Sequence, residues 1–259
     1  MTYDSYGAWQ IDHQCPQCGA CVTLNEADRL LMCSFCRTKL QLVTNDYFRY
    51  CIPIKDAAGR EIFYIPYWRL RGLSFSVLAG EMTHRFFDAN LLAVNIDKMP
   101  NSMGLRPQVM RLAFVSPALA GRFLEPGFGA GTVMQRLSQD SPACLYQALI
   151  GEMFSLIYAP MYVEDQMLYD AVLKRPVCPL ESLDMETLPA KSGSQNWQIR
   201  FIPTLCPGCG WDLQGEKDAL VLTCANCDSA WTCRGNAFEK VTFSVVADTE
   251  PAACYLPFW

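Results

Sequence analysis

The chain has 259 residues, 51% of them hydrophobic and 18% charged, with a formal charge of −5. That composition excludes a disordered protein and leaves room for one large domain or two to three small ones. The acidic balance argues against a broad nucleic-acid-binding surface, which needs lysine and arginine to neutralise phosphates.

The N-terminus, MTYDSYGAWQ, has neither a positively charged segment nor an apolar one, so no secretory signal is read there. Fourteen cysteines without such a signal point to a reducing, cytoplasmic setting, in which metal ligation is favoured over disulfides. Residues 15–36, CPQCGACVTLNEADRLLMCSFC, begin and end with a Cys-x-x-Cys pair. Cys15, Cys18, Cys33 and Cys36 recur as Cys206, Cys209, Cys224 and Cys227, each displaced by 191 residues. At the same displacement Tyr64-Ile65-Pro66-Tyr67-Trp68 recurs as Tyr255-Leu256-Pro257-Phe258-Trp259. Twelve of the 58 gapless positions starting at Ile11 and Ile202 are identical, which reads as a duplicated unit. A fainter echo is Tyr158-Ala159-Pro160-Met161-Tyr162. Residues 11–50 carry four acidic and four basic side chains, and 202–242 carry five and three, so neither unit has a basic stripe.

Fourteen residues separate the two knuckles of each unit, a spacing that lets a short β-hairpin gather four thiolates into a tetrahedron. In CPQCG and CPGCG the proline preorients the turn, and the glycine permits the positive φ that turns backbone N–H groups toward sulfur. The eight cysteines are therefore expected to hold two ions, one per quartet. Zinc is expected, with rubredoxin-like iron as the alternative; rubredoxins space their knuckles further apart. With all four positions filled by thiolate, no open site for hydrolysis remains. Cys21 and Cys233 lie near the knuckles and read either as substitute ligands or as small packing residues. His13 reads as a possible neighbour of the first quartet, although Thr204 stands in its place in the second unit. His84 has no patterned partner for catalysis.

In YIPYW, the proline implies an edge strand or a bulge. Tyr64, Pro66 and Trp68 share one face, as do Tyr255, Pro257 and Trp259. Each set reads as a core anchor or as a docking strip for a protein partner. LSFSVLAG, RFFDANLLAVNI and QVMRLAFV read as strands, and LIYAPMYVEDQMLYDAVL as a hairpin turning near Glu164-Asp165. CLYQALIGEMF, after Ser141-Pro142, reads as a helix. GFGAG (127–131) lacks the features of a phosphate loop and reads as a plain loop. ESLDMETLPAKSGSQN (181–196) reads as a linker. After Trp68 the chain continues as RLRGLSFSVLAG, so the matching stop at Trp259 implies that the natural chain runs on or that a partner completes that strand.

The expected fold is mainly β with some α: a four-cysteine zinc ribbon over 1–50, a central β-rich domain over 51–197 with one or two helices, and a second ribbon over 198–259. The two knuckled units, each followed by Tyr-x-Pro-aromatic-Trp, together with SLIYAPMYVEDQMLYDAVL, resemble bacterial double zinc-ribbon proteins of unassigned activity. The resemblance covers most of the chain and implies a non-catalytic, metal-stabilised accessory or scaffold subunit that binds other proteins in a larger complex, with peripheral association with a membrane complex left open. A rubredoxin-like electron carrier and a nucleic-acid-associated ribbon are the alternatives.

Overall fold

A computed structural model describes residues 9–54, 59–78, 81–104, 110–129, 131–133, 135, 146–180, 190–192, 197 and 199–245. The protein is mainly β, and α-helical backbone among the described residues is confined to 131–133 and 135. Two long strands organise it, β6 (Phe63–Leu78) and β10 (Tyr146–Glu164). They pair antiparallel from Met161↔Phe63 to Tyr146↔Val77.

Each long strand serves two neighbours along its outer edge. On β6 these are the parallel β9 (Arg122–Leu124) at Phe63 and Tyr64, then the antiparallel β7 (Glu81–Leu92) from Tyr67 onward. On β10 they are β11 (Met167–Asp170) and the parallel β5 (Phe48–Cys51). The sheet is completed by β12 (Arg175–Pro179) on β11, β8 (Ala113–Phe114) on β5, and β13 (Ala190–Ser192) on β9. The expected hairpin is present: Asp165 and Gln166, with φ of 48° and 58°, form the two-residue turn between β10 and β11. Part of the stretch read as a linker, Ala190–Ser192, is strand β13.

Where FYIPYW and LIYAPMYV pair, the sheet is buried on both faces, which explains these unbroken apolar runs. Phe63, Ile65, Tyr67, Ile157, Ala159 and Met161 pack into one core. Ile62, Tyr64, Trp68, Leu156 and Tyr158 pack into another. Tyr64 stacks on Phe123 at 4.4 Å.

Two expectations are corrected here. CLYQALIGEMF is not a helix: from Tyr146 onward it is strand β10. Pairing with β6 overrides local helix propensity, and the register shifts between Gly151 and Met153. That bulge changes the phase of the alternation, so the apolar spacing imitates a helical period. Pro66, for its part, does not mark an edge. It faces Tyr158 in the interior of the sheet, where β6 changes partner from β9 to β7. Its carbonyl accepts the Ala93 N–H at 2.9 Å, so the missing N–H falls on the side where no ladder is continuous.

The knuckled units use β1 (Gln10–Gln14), β2 (Cys21–Asn25), β3 (Leu30–Met32) and β4 (Lys39–Val43), then β14 (Arg200–Pro203), β15 (Val221–Cys224), β16 (Ser229–Arg234) and β17 (Ala237–Val241). They do not sit at opposite ends of the central sheet. Strand β14 adds to the edge of β4, giving the order β14-β4-β3. The Lys217 carbonyl accepts N–H groups from both Arg29 and Leu30, at 2.6 and 2.8 Å. Leu30, a residue of the first unit, lies in the core of the second with Leu213, Leu222 and Trp231. The open edge of β4 and the backbone donors ahead of β3 needed partners, and the second unit supplies them.

Candidate metal centres

Each quartet is built by two hairpin turns facing one another. In the first, the Cys15 N–H donates to the Ala20 carbonyl and the Gly19 N–H to that of Cys15, both at 2.8 Å. Displaced by 191 residues, Cys206 donates to Trp211 at 2.7 Å and Gly210 to Cys206 at 2.8 Å. Gly19 and Gly210 have φ of 74° and 76°, the left-handed conformation for which glycine was expected at those positions. The correspondence extends to the strands: Leu31↔Leu40 and Leu222↔Trp231 occupy equivalent registers, as do Gln14↔Cys21 and Leu205↔Asp212.

These turns bring Cys15, Cys18, Cys33 and Cys36 together, and likewise Cys206, Cys209, Cys224 and Cys227, with all four sulfurs of each group within 4.8 Å of one another. Cys15–Cys36 and Cys18–Cys33 are 3.7 and 3.6 Å apart, and Cys206–Cys227 and Cys209–Cys224 are 3.6 and 3.4 Å. A tetrahedron with metal–sulfur bonds of about 2.3 Å has edges of about 3.8 Å. Both donor sets fit a four-coordinate metal ion.

Within each quartet the thiols and their neighbours shift one another's pKa in opposite directions. The Thr38 hydroxyl and N–H hold Cys36 down at about 6. Although burial opposes it, Cys206 also falls to about 6, because the N–H groups of Gly208 and Cys209 favour its thiolate. Cys18, despite the Ala20 N–H, is pushed up to about 12 by desolvation and by the thiols of Cys36, Cys33 and Cys15. Cys227, despite the Ser229 hydroxyl, also rises to about 12. Four thiolates at this separation repel one another, and a cation at their centre removes that repulsion.

Thr38 and Ser229 were not singled out by sequence reasoning. Their hydroxyls lie 3.3 Å from the Cys36 sulfur and 3.0 Å from the Cys227 sulfur. Trp231 Nε1 donates to Ser229 Oγ at 2.7 Å, orienting that hydroxyl. The signal was available: a hydroxyl residue two places after the last cysteine of each unit.

The remaining expected site residues are scattered. Tyr64, Pro66 and Trp68 are buried, with Tyr64 and Trp68 each 1% exposed, so they are core anchors and form no surface strip. Tyr255, Pro257 and Trp259 lie outside the described residues. His13 is stacked on Phe201 at 5.1 Å and meets Phe114 edge-on at 5.4 Å, and burial lowers its pKa. His84 is exposed on β7. Cys21 is exposed and Cys233 half-buried, and neither belongs to a quartet. Cys51 and Cys178 are buried packing residues, and burial pushes Cys51 up to about 12. Cys144 and Cys254 lie outside the described residues. No helix among the described residues is long and apolar enough to cross a membrane.

No protein-family model matches the chain, and neither a curated protein nor a solved structure does.

Proposed function

We propose that the protein is a zinc-stabilised, non-catalytic scaffold subunit whose two ribbons hold a surface in shape for other proteins of a cytoplasmic complex. The observation that carries this reading is the completeness of both donor sets. Four thiolates fill a tetrahedral ion, leaving no position for water or substrate, so the ion contributes folding free energy and not chemistry. The surface around the quartets supports the binding half. Phe35, between the last two ligands of the first unit, is 72% exposed; Trp211, just after the first knuckle of the second, is 57% exposed. Leu205 and Leu220 of the same unit are exposed as well. Aromatic side chains on rigid turns lose little entropy when a partner covers them. None of the twelve cysteines among the described residues is in a disulfide, in keeping with a reducing compartment.

The test is elemental analysis of the purified chain with its visible spectrum. Two equivalents of zinc and no absorption are expected; iron with thiolate-to-iron bands would replace this reading with electron transfer. Cys206→Ser should lower the metal content to one equivalent and unfold the second unit locally. Unchanged metal content in that variant would disprove the ligand assignment.

A further inference from the structure

The central sheet outruns its own core. Past the paired aromatic-proline motifs, 72–78 of β6, 81–87 of β7 and 146–151 of β10 continue as a three-stranded antiparallel arm with β6 in the middle. The two-residue alternation sorts its side chains onto two faces. One face carries Leu73, Phe75 and Val77 of β6, directly opposite Phe86, His84 and Met82 of β7. The other carries Ser74, Ser76, Thr83 and Arg85, with Phe87 at its base. On β10, Ile150, Ala148 and Tyr146 take the register positions opposite Leu73, Phe75 and Val77. Across β6 and β7 the first face is apolar except for His84, and the second is mostly polar.

The apolar face is open. Met82 is 73% exposed and Phe86 57%, His84 is exposed, and Leu73, Phe75 and Val77 are only half-buried although they lie on the middle strand. Further back, the same face of β6 is covered: Phe63, Ile65 and Tyr67 lie in a core to which the first unit contributes Trp9, Ile11 and Leu24. A charged row ends that cover. Arg69 pairs with Glu26 and Asp88, and Arg71 stands opposite Asp88, so two positive and two negative groups balance there. The first unit thus forms a step at the base of an apolar shelf, and a sheet with one apolar face is stable when a second layer covers it.

We propose that this shelf is the dimer interface of the protein: the arms of two copies stack face to face and run in opposite directions, related by a two-fold axis over the Phe75–His84 row. The proposal goes beyond the scaffold reading and does not depend on it. The step decides the direction. Arms running the same way would bring both first units together at one end and hold the shelves apart. Running oppositely, each tip reaches the step of the other copy. The axis then sets Met82 over Phe86 of the other copy, and Leu73 over its Val77. Two identical faces without net charge meet with no repulsion, as an interface shared by equal copies requires. A lipid surface is disfavoured, because Arg71 and Arg85 are matched by Glu81 and Asp88 and no basic rim remains. Three strands about 4.8 Å apart and seven residues long give each shelf about 14 by 23 Å, so two shelves and their tips bury on the order of 1,000 Å² in all. That area suits a reversible dimer with a roughly micromolar Kd.

The test uses the intact, metal-loaded chain. Sedimentation velocity across the micromolar range should show a monomer–dimer equilibrium. Phe86→Glu should weaken dimerisation by about tenfold or more, because its charge would be buried against Met82 of the other copy. Met82→Lys should do the same for the same reason. Mixed in equal amounts, the two variants should regain a dimer, since the new lysine of one chain then faces the new glutamate of the other. Thr83→Glu, on the polar face of the same strand, should leave dimerisation unchanged. Wild-type unfolding midpoints verify the fold of each variant, as expected for substitutions at exposed sites. A monomer at every concentration would overturn the proposal. So would a dimer indifferent to Phe86→Glu, a dimer equally sensitive to Thr83→Glu, or a mixture that stays monomeric. A monomer that binds uncharged lipid vesicles, and loses them with Phe86→Glu, would name a membrane as the occupant and overturn it too. The scaffold reading is judged separately, by the metal stoichiometry, so failure of one does not hide failure of the other.

Discussion

Arg69 gives the sharpest test of how the first unit is fastened to the central sheet. Its side chain is 2% exposed and lies between Glu26 of the first unit and Asp88 of β7. Arg69 Nε is 3.0 Å from Glu26 Oε1, Nη2 is 2.9 Å from Asp88 Oδ2, and the guanidinium lies 4.0 Å above the Trp9 ring. Glu26 is itself 3% exposed. Removing one member of a buried pair costs about 3–5 kcal/mol, because the partner's charge stays buried, whereas replacing both with apolar or neutral groups can be nearly neutral. Arg69→Met is therefore expected to lose about 4 kcal/mol, and Arg69→Met with Glu26→Gln to recover more than half of it. Burial holds the Glu26 pKa above the usual carboxylate value, against the pull of Arg69, and Asp88 adds to the rise. A carboxyl raised on folding contributes stability below its unfolded pKa and loses it as pH climbs through the folded one. Without Arg69 the rise is greater, so the single variant should be least impaired in mild acid and most impaired at neutral pH. Urea unfolding at two pH values, with metal bound throughout, reads all four corners of the cycle. Equal losses in the single and double variants, or a loss that does not vary with pH, would refute the argument that the pair is tied together by mutual compensation.

Three further outcomes are expected. Gly121→Ala would set a Cβ 2.7 Å from the Ile62 carbonyl, at a φ of 141°, and should cost about 2 kcal/mol by thermal or denaturant unfolding. Leu30→Ala should cost about 3 kcal/mol, and because Leu30 packs with Leu213 and Leu222, chelator-driven metal release should quicken at the second quartet before the first. Phe35→Ala should leave stability within about 0.5 kcal/mol, since the side chain is 72% exposed, while weakening capture of a purified partner.

The quartets were legible because their chemistry is local: two ligands per turn, glycine where φ must be positive, and a fixed separation between turns. The strand hairpin through Glu164-Asp165 was legible for the same reason. What escaped depends on residues far apart in the chain. The helix read over CLYQALIGEMF failed because its strand partner lies about seventy residues earlier, and a bulge scrambles the two-residue alternation. Pro66 was misplaced because nothing local tells where a long strand changes neighbours. The echo at Tyr158-Ala159-Pro160 gained its meaning only in space: Tyr64 pairs with Pro160 and Pro66 with Tyr158, each proline lying opposite the other strand's tyrosine. Burial of YIPYW on both sides, which decides between anchor and docking strip, likewise follows from layers of the fold that the motif does not contain.

The lending of parts between the knuckled units bears on dissection of the molecule. Strand β14 closes the edge of β4, and Leu30 fills the interior around Leu222. A fragment cut at the natural-looking seam before residue 198 would carry away one unit's edge partner and leave the other unit hollow. The halves of this pair can be inherited, expressed or trimmed only together.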